Sequence, residues 1–220
     1  MVRAVRQQAE FCENDDALVD GLRARAEDAF TELLARYHRA TLRIAGAYVK
    51  SEAAAEEVVQ EAWIAVLHGI DGFEGRSSFK TWLFRIVANG AKKRAMLDAR
   101  SVPFSSFGEA DESDEPAVDP SRFNEGAGTR WEGHWASPPV LWNEPEERLL
   151  SAETRAVIGR AIDALPPVQR QVITLRDVQE CTSEETCEIL EITEANQRVL
   201  LHRARSRVRQ ALELHLKGAP

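Results

Sequence analysis

Apolar residues at three- and four-residue steps occupy both ends of this chain, and a stretch without any period separates them. That spacing places side chains along one face of an α-helix. Between residues 101 and 143 this apolar spacing is absent, and Pro, Gly, Ser and acidic residues dominate. Such a composition buries too little apolar surface to fold by itself. The pattern predicts an all-α protein with two small helical domains, an N-terminal helical bundle and a C-terminal four-helix domain, joined by a flexible acidic linker.

Three amphipathic helices are predicted in the first hundred residues, over 30–49, 53–67 and 78–94. Glycines between the second and third of these, in Gly69 to Arg76, mark a loop. The predicted domain boundaries are an N-terminal tail over 1–19, the bundle over 20–100, the linker over 101–143 and the C-terminal domain over 144–220.

The C-terminal domain has the order of a helix-turn-helix. A helix begins near Pro145, and Pro166 with Pro167 ends it and starts the next. The segment from Thr182 to Glu185 has the form of a capping box at the start of a short helix. After Glu191, Ile192 and Thr193, a long basic helix is predicted from Glu194 to about Leu216, with Thr193 as its N-cap. A short helix, a tight turn and a long basic helix together predict DNA binding.

Net charge alone argues against a nucleic-acid partner, since it is −8. The charge is segregated, however, and its distribution matters more than its sum. Residues 76–100 and 198–217 form two basic patches, whereas the predicted linker is acidic. The linker also carries Trp131, Trp135 and Trp142, which either dock on a partner or cover a neighbouring domain of the chain itself.

Polar residues on the predicted third helix suit DNA contact. Asn pairs with base edges, and Lys and Arg neutralise phosphates. On this basis Arg85, Asn89, Lys92 and Lys93 form a polar side opposite the apolar stripe. Phe84 lies off that stripe, and we expect it to contact an unstacked base.

On the basic C-terminal helix, residues near the N-terminus are the expected base readers and later arginines the expected phosphate contacts. The alternative is a merely solvated basic face. The readers are Glu194, Asn196, Gln197 and Arg198, and the phosphate contacts are Arg203, Arg205 and Arg207.

The predicted second helix is acidic, through Glu56, Glu57, Gln60 and Glu61. Such a surface repels DNA. Either it is a solvated face, or it binds a basic surface of a protein partner.

No pattern typical of catalysis occurs. The histidines are scattered, no glycine motif cradles phosphate, and no cluster has metal-ligand spacing, so we expect no enzyme, no cofactor, no metal and no small-molecule substrate. Cys12, Cys181 and Cys187 fit neither a disulfide framework nor a zinc site and are expected to be reduced, the alternative being a redox role for the latter two. No run reaches the roughly 18 apolar residues of a membrane helix, and no secretory signal begins the chain, so we expect a cytoplasmic protein without membrane insertion.

Several segments, taken in order, resemble one family. They are Glu57 to Trp63, Ser77 to Leu83, Leu165 to Arg170 and Leu201 to Arg205. In these stretches the chain resembles bacterial RNA polymerase sigma factors of the extracytoplasmic-function group, over roughly residues 20–97 and 145–215.

The resemblance implies a transcription initiation factor that binds core RNA polymerase, recognises a promoter and helps to melt it. It implies docking of the acidic helix on the β′ clamp helices, a contact to the β flap, and a linker directed towards the active-site cleft and the RNA exit path. It further implies an anti-sigma factor as a partner and association with the nucleoid when active.

Site residues follow from the same resemblance. The core-polymerase contacts are Glu57, Val58, Gln60 and Glu61. The minus-ten DNA contacts are Arg76, Ser77, Ser78, Lys80, Phe84, Arg85, Asn89, Lys92 and Lys93. The minus-thirty-five DNA contacts are Ser183, Glu194, Asn196, Gln197, Arg198, His202, Arg203 and Arg205.

The chain departs from the family pattern at a few positions. Glu57 stands where Asp is usual, which keeps the charge. Glu191 stands where Gly is frequent, which costs about 1 kcal/mol if its φ is positive. Val199 and Leu200 replace polar and basic residues of the recognition helix, from which we expect altered promoter specificity.

A second function remains open at this point. It is a stand-alone helix-turn-helix repressor or activator whose N-terminal bundle senses a ligand or dimerises. The acidic helix around Glu57 discriminates the two functions, because only the initiation factor needs it to bind polymerase.

Overall fold

In a computed structural model of the chain, the structure describes residues 15–100 and 152–218. Every regular element in these two ranges is helical, so the predicted all-α class is confirmed. The predicted linker with its three tryptophans, Cys12 and residues 1–14 of the predicted tail lie outside the described residues. No helix within the two ranges is long and apolar enough to cross a membrane.

The N-terminal part contains four α-helices and one short 3₁₀ turn. They are α1 over 15–23, α2 Glu27–Gly46, α3 Glu52–Gly69, the 3₁₀ turn Ile70–Gly72 and α4 Phe79–Arg100. The three predicted helices are confirmed as α2, α3 and α4, with their ends shifted by a few residues.

The C-terminal part also follows the predicted order, and the predicted helix start near Pro145 lies outside the described residues. Its elements are α5 Ala152–Asp163, α6 Pro167–Ile173, a π-helical turn Thr174–Val178, α7 Ser183–Leu190 and α8 Glu194–Gly218. Pro167 is the first residue of α6, where a missing N–H costs nothing because that N–H has no helical partner.

Two compact units divide the described residues. The first comprises 15–100 together with 174–194, and the second comprises 152–173 together with 195–218. The core of the first unit lies between α2, α3 and α4, where Leu33, Val66 and Val87 are fully buried. In the second unit, the buried face of α8 carries Leu201, Ala204, Val208 and Leu212 at the expected helical spacing.

Helix α1 corrects the predicted end of the N-terminal tail. Leu18, Val19 and Leu22 are buried in the same core as α2 to α4, so residues 15–19 belong to the bundle. Asp15 also joins α1 to α2 by two hydrogen bonds. Its Oδ1 accepts from the Tyr37 hydroxyl at 3.0 Å and from Arg36 Nη1 at 3.1 Å. Burial raises the pKa of Asp15 despite these two donors. The sequence did not reveal α1 because its apolar pattern spans barely two turns.

Helix α7 begins at the predicted capping box, which is confirmed. The amide of Glu185 donates to Thr182 Oγ1 at 3.1 Å, and the amide of Thr182 donates to Glu185 Oε2 at 2.7 Å. The helix ends at Glu191, whose φ of 58° and ψ of 41° are left-handed. The cost of about 1 kcal/mol relative to Gly, expected if φ is positive at this turn, therefore applies to Glu191.

The left-handed conformation of Glu191 gives a prediction about stability. Replacing Glu191 by Gly removes the clash between Cβ and the backbone, whereas replacing it by Ala keeps that clash, and both changes remove the carboxylate. We expect Glu191→Gly to exceed Glu191→Ala by about 1 kcal/mol in free energy of unfolding. Urea denaturation of both variants measures the difference, and equal midpoints with equal slopes would contradict it.

Candidate nucleic-acid and protein interfaces

The acidic residues of α3 share one exposed face. Glu57, Gln60 and Glu61 are all exposed, and their spacing of three and four residues puts them side by side. Helix α3 is capped by Ser51, whose Oγ accepts from the Ala54 amide at 3.2 Å. The face of Glu57, Gln60 and Glu61 begins about two turns after this cap, where the helix is regular.

One of these carboxylates is already held by a neighbouring helix. Arg94 of α4 donates to Glu57 through Nη1 and to Asp98 Oδ1 through Nε at 3.1 Å. The Glu57 hydrogen bond, followed by the charges of Glu57 and Asp98, raises the pKa of Arg94. The face is therefore acidic but bordered by a cation.

Val58, predicted as a polymerase contact, is not on this face. Its side chain is only 2% exposed. A Cβ built on Gly90 of α4 would lie 3.6 Å from Val58 Cγ1, which shows how closely the two helices approach there. The prediction for Val58 as a surface contact is wrong, because the residue packs α3 against α4.

Ile64 was missed by the sequence reasoning. It is 56% exposed and lies seven residues after Glu57, so it continues the face of Glu57, Gln60 and Glu61. The signal was available in the helical spacing. Protein interfaces combine apolar residues with a polar rim, so an exposed apolar side chain on this face suits a protein contact.

The polar side of α4 is exposed as predicted. Arg85, Asn89, Lys92 and Lys93 are exposed, at spacings that keep them on one side of the helix. In the loop before α4, Arg76 is exposed and pairs with Glu74 at 3.1 Å. These residues form a surface, here called the α4 basic face, together with Ser77, Ser78 and Lys80.

Ser78 has a structural task on this face. Its Oγ accepts from the Thr81 amide at 3.1 Å, which makes it a cap of the first turn of α4. Its Oγ also lies 2.8 Å from Thr81 Oγ1. Contact of Ser78 with DNA stays a prediction, to be weighed against this cap.

Phe84 is a core residue, and the prediction that it contacts an unstacked base is wrong for this conformation. Its side chain is 1% exposed and packs edge to face on Tyr37, with ring centroids 6.3 Å apart. The apolar stripe of α4 is simply wider than the sequence analysis assumed. Phe73, Phe79 and Trp82 form a neighbouring aromatic cluster that fastens the glycine loop to α4.

On α8, most of the predicted DNA contacts reach the surface. Glu194, Asn196, Arg198, His202 and Arg205 are exposed, and Arg203 and, on α7, Ser183 are half-buried. Val199 is also exposed, so the surface around the readers is partly apolar, as the departure from the family pattern indicated.

Gln197 does not share this exposure. It is 2% exposed, so its amide is not presented to a base edge. The prediction of Gln197 as a reader is therefore wrong. It sits four residues before Leu201, on the buried face of the helix, and a helical wheel drawn through Leu201 and Ala204 would have indicated this.

Helix α7 and the residues before it lie against the α4 basic face, within the first compact unit. Lys80 Nζ donates to the Gln179 carbonyl at 2.8 Å, and Thr81 Oγ1 donates to Glu185 Oε1 at 3.0 Å. Arg85 lies 3.6 Å from Glu188 and 3.8 Å from Glu191. Burial opposes ionisation of Glu185, but the Thr182 amide, the Thr81 hydroxyl and the charge of Lys80 outweigh it and lower its pKa.

Burial lowers the reactivity of the two cysteines in this region. Cys181 is 1% exposed, and burial raises the pKa of its thiol to about 11. Cys187 is half-buried, and burial also raises its pKa. Thiols that stay protonated are poor nucleophiles and poor metal ligands. Within the described ranges no group of His, Cys, Asp and Glu is arranged to hold a metal ion.

Two family models match the chain. The model described as sigma-70 region 2 matches residues 33–100, and the model described as sigma-70, region 4 matches residues 155–208. The first match covers α3, α4 and most of α2. The second covers the helix-turn-helix segment.

Curated relatives match over most of the chain. One is the extracytoplasmic-function RNA polymerase sigma-E factor of Escherichia coli, 30% identical over 194 residues, which covers 88% of this chain and 92% of the relative. Another is the RNA polymerase sigma-H factor of Pseudomonas aeruginosa, 28% identical over 207 residues, which covers 94% and 98%.

Solved structures share the fold. CnrH in complex with the cytosolic domain of CnrY matches with a TM-score of 0.53 and 19% identity, over 94% of this chain and 99% of CnrH. The sigma factor RpoE of Bartonella quintana, in complex with the anti-sigma factor NepR, matches with a TM-score of 0.56 and 20% identity, over 84% and 97%.

Burial of the two cysteines gives a prediction about their reactivity. Because Cys181 is buried with a raised pKa and Cys187 is only half-buried, iodoacetamide at pH 8 should modify Cys187 first. Peptide mass spectrometry over a time course separates the two sites, and urea-unfolded protein is the control in which both should react alike. Modification of Cys181 ahead of Cys187 in native protein would contradict the burial.

Proposed function

Because the chain belongs to the extracytoplasmic-function group of the sigma-70 family and is a transcription initiation factor, we propose that its surfaces divide the work of initiation. The α3 acidic face binds core RNA polymerase, the α4 basic face binds the minus-ten element, and α8 reads the minus-thirty-five element. The single observation that carries this proposal is the opposite charge of the exposed faces of α3 and α4, which are neighbours in one bundle.

The polymerase contact consists of Glu57, Gln60 and Glu61, with Ile64 added. Carboxylates at the rim and one exposed apolar side chain among them suit a basic groove with an apolar centre. We propose the β′ clamp helices as that surface. Val58 supports the contact from inside, since it sets the distance between α3 and α4.

The minus-ten contact consists of exposed cations around Asn89. Lys92 and Lys93 would neutralise phosphates, and Asn89 has the amide that pairs with a base edge. The glycine loop from Gly69 to Arg76, held by the Phe73 cluster, lies beside α4 and would receive an unstacked base. This binding is non-enzymatic: it stabilises a melted strand without covalent chemistry.

The minus-thirty-five contact begins at the N-terminus of α8. Glu194, Asn196 and Arg198 are exposed where a recognition helix enters the major groove, and His202, Arg203 and Arg205 follow towards the phosphates. Exposed Val199 makes an apolar contact available, which suits a thymine methyl group better than a guanine edge. Val199, in place of the polar or basic residue that the family pattern has there, therefore supports altered promoter specificity.

The remaining assignments follow from the family. We propose the domain organisation predicted from the sequence, amended so that the first domain starts by residue 15, and a cytoplasmic protein that associates with the nucleoid when active. The likeness to CnrH and RpoE, which were solved in complex with CnrY and the anti-sigma factor NepR, supports an inhibitory protein partner for this chain. A stand-alone regulator is not favoured, since the sigma-family matches cover both the bundle and the helix-turn-helix.

The α3 face gives a prediction about polymerase binding. Glu57→Lys with Glu61→Lys places cations where the partner is basic, so we expect affinity for core polymerase to fall at least about tenfold. Promoter-dependent transcription from a promoter library should be lost with it. Both are measured with purified bacterial core polymerase, and circular dichroism should show unchanged helix content.

The matched control is Glu27→Lys with Asp28→Lys. It makes the same change of net charge at the exposed start of α2, on another helix than the face of Glu57, Gln60 and Glu61. An equal loss in this control would mean that charge in general, and not this face, governs polymerase binding.

The different burial of Asn196 and Gln197 gives a prediction about promoter reading. Asn196→Ala should lower transcription from promoters with an intact minus-thirty-five element about tenfold, because a base contact is lost. Gln197→Ala should instead lower the melting temperature and leave the ranking of minus-thirty-five sequences unchanged, because Gln197 is buried. Transcription on a minus-thirty-five library and thermal unfolding separate the effects. A change of sequence preference in Gln197→Ala would contradict its assignment to the core.

A further inference from the structure

Residues 174–194 lie in the segment matched by sigma-70, region 4, but they pack with the bundle that contains the match to sigma-70 region 2. They lie inside the stretch matched by sigma-70, region 4, over 155–208. In the structure, however, they form one compact unit with residues 15–100, which contain the match to region 2. A segment of the promoter-reading half of the chain is therefore folded onto the bundle.

Apolar burial holds this segment in place. Leu175, Cys181 and Ile189 are buried in one hydrophobic cluster with the core residues of α2, α3 and α4, and Leu190 packs against that cluster. These side chains are each at most 2% exposed, apart from the partly buried Leu190. Removing apolar surface from water favours this contact without any charge.

Polar contacts on the same side use the α4 basic face. Lys80 donates to the Gln179 carbonyl, and Arg85 lies within ion-pair distance of Glu188 and Glu191. Glu185 accepts from Thr81 at 3.0 Å and from Ser78 at 3.4 Å. Carboxylate and carbonyl oxygens thus face the groups that a DNA phosphate would need.

From this overlap we propose that α7, with the residues that precede it, is an intramolecular competitor of DNA: docked on α4, it covers the Ser78, Lys80 and Arg85 part of the α4 basic face. The proposal rests on the proposed minus-ten role of that face. DNA and α7 cannot both occupy Lys80 and Arg85, so the apparent affinity of the free chain for DNA is reduced by the fraction that is docked.

The contact has the features of a reversible one. The Arg85, Glu188 and Glu191 side chains are each roughly half-exposed, so salt screens their attraction and each pair contributes little. Asn89, Lys92 and Lys93 stay exposed. The uncovered cations still attract DNA while the docked segment withholds full contact.

Glu188→Lys with Glu191→Lys tests the proposal in the full-length chain. The new cations repel Arg85, while Glu185 and its capping box are untouched. The matched control is Glu27→Lys with Asp28→Lys, which changes the net charge equally at an exposed helix start on α2. Iodoacetamide modification of Cys181, followed by peptide mass spectrometry, measures release of the docked segment. Fluorescence anisotropy with a labelled pool of random single-stranded DNA measures access to the α4 basic face.

We expect Cys181 to react at least about threefold faster in Glu188→Lys with Glu191→Lys than in the control. Affinity for single-stranded DNA should rise at least about threefold above that of the control, because phosphate binding is independent of sequence. An equal rise in affinity in both double variants overturns the proposal, since net charge would explain it. Unchanged Cys181 reactivity overturns it as well.

Failure of the proposed function would look different. If the native chain with core polymerase initiates at no promoter, the initiation role of the faces fails, whatever Cys181 does. If native transcription is intact while Cys181 reactivity and DNA affinity follow the control, only the masking by α7 fails.

Discussion

The packing of α4 against α3 is the contact on which the other features of the bundle depend. The two helices meet at Gly90 and Val58, and the wide apolar stripe of α4, with Phe79, Phe84 and Val87, fills the space towards α2. Because the apolar faces of α3 and α4 are buried against their neighbours, the opposite face of each helix is exposed to solvent. The acids of α3 and the cations of α4 lie on these exposed faces, as helical geometry requires.

Opposite charges on neighbouring helices attract each other, and they pair where the acidic and basic faces meet. Arg94 reaches from α4 to Glu57 and Asp98, so the border between the acidic and the basic face is itself neutralised. Further along α4, Arg85 finds its carboxylates on α7 instead. Under the proposed function, Arg85 would serve the folded chain and a promoter in turn, and an exposed ion pair suits this exchange because it is weak enough to open.

Sequence patterns predicted the elements well where several signals agreed. Helices α2 to α4 and the capping box at Thr182 each had a local signature, and the left-handed conformation of Glu191 was indicated by the Gly that the family often has at that turn. Errors arose where the width of a buried face mattered. Val58, Phe84 and Gln197 all lie on the buried face of their helices, and the width of that face depends on how many neighbours pack against it. Helix α1 escaped notice because a short helix is stabilised by its tertiary partners more than by its own residues.

By itself, the sequence determined the all-α class, the order of the helices, the segregation of charge and the family, because each of these is written in local spacing or in motifs along the chain. Only the tertiary structure decided which members of the predicted sites reach the surface, that Ile64 extends the acidic face, and that residues 174–194 pack with the bundle. The physical reason is that burial and masking depend on contacts between residues far apart in the chain. Local spacing carries no information about which distant residues will supply those contacts.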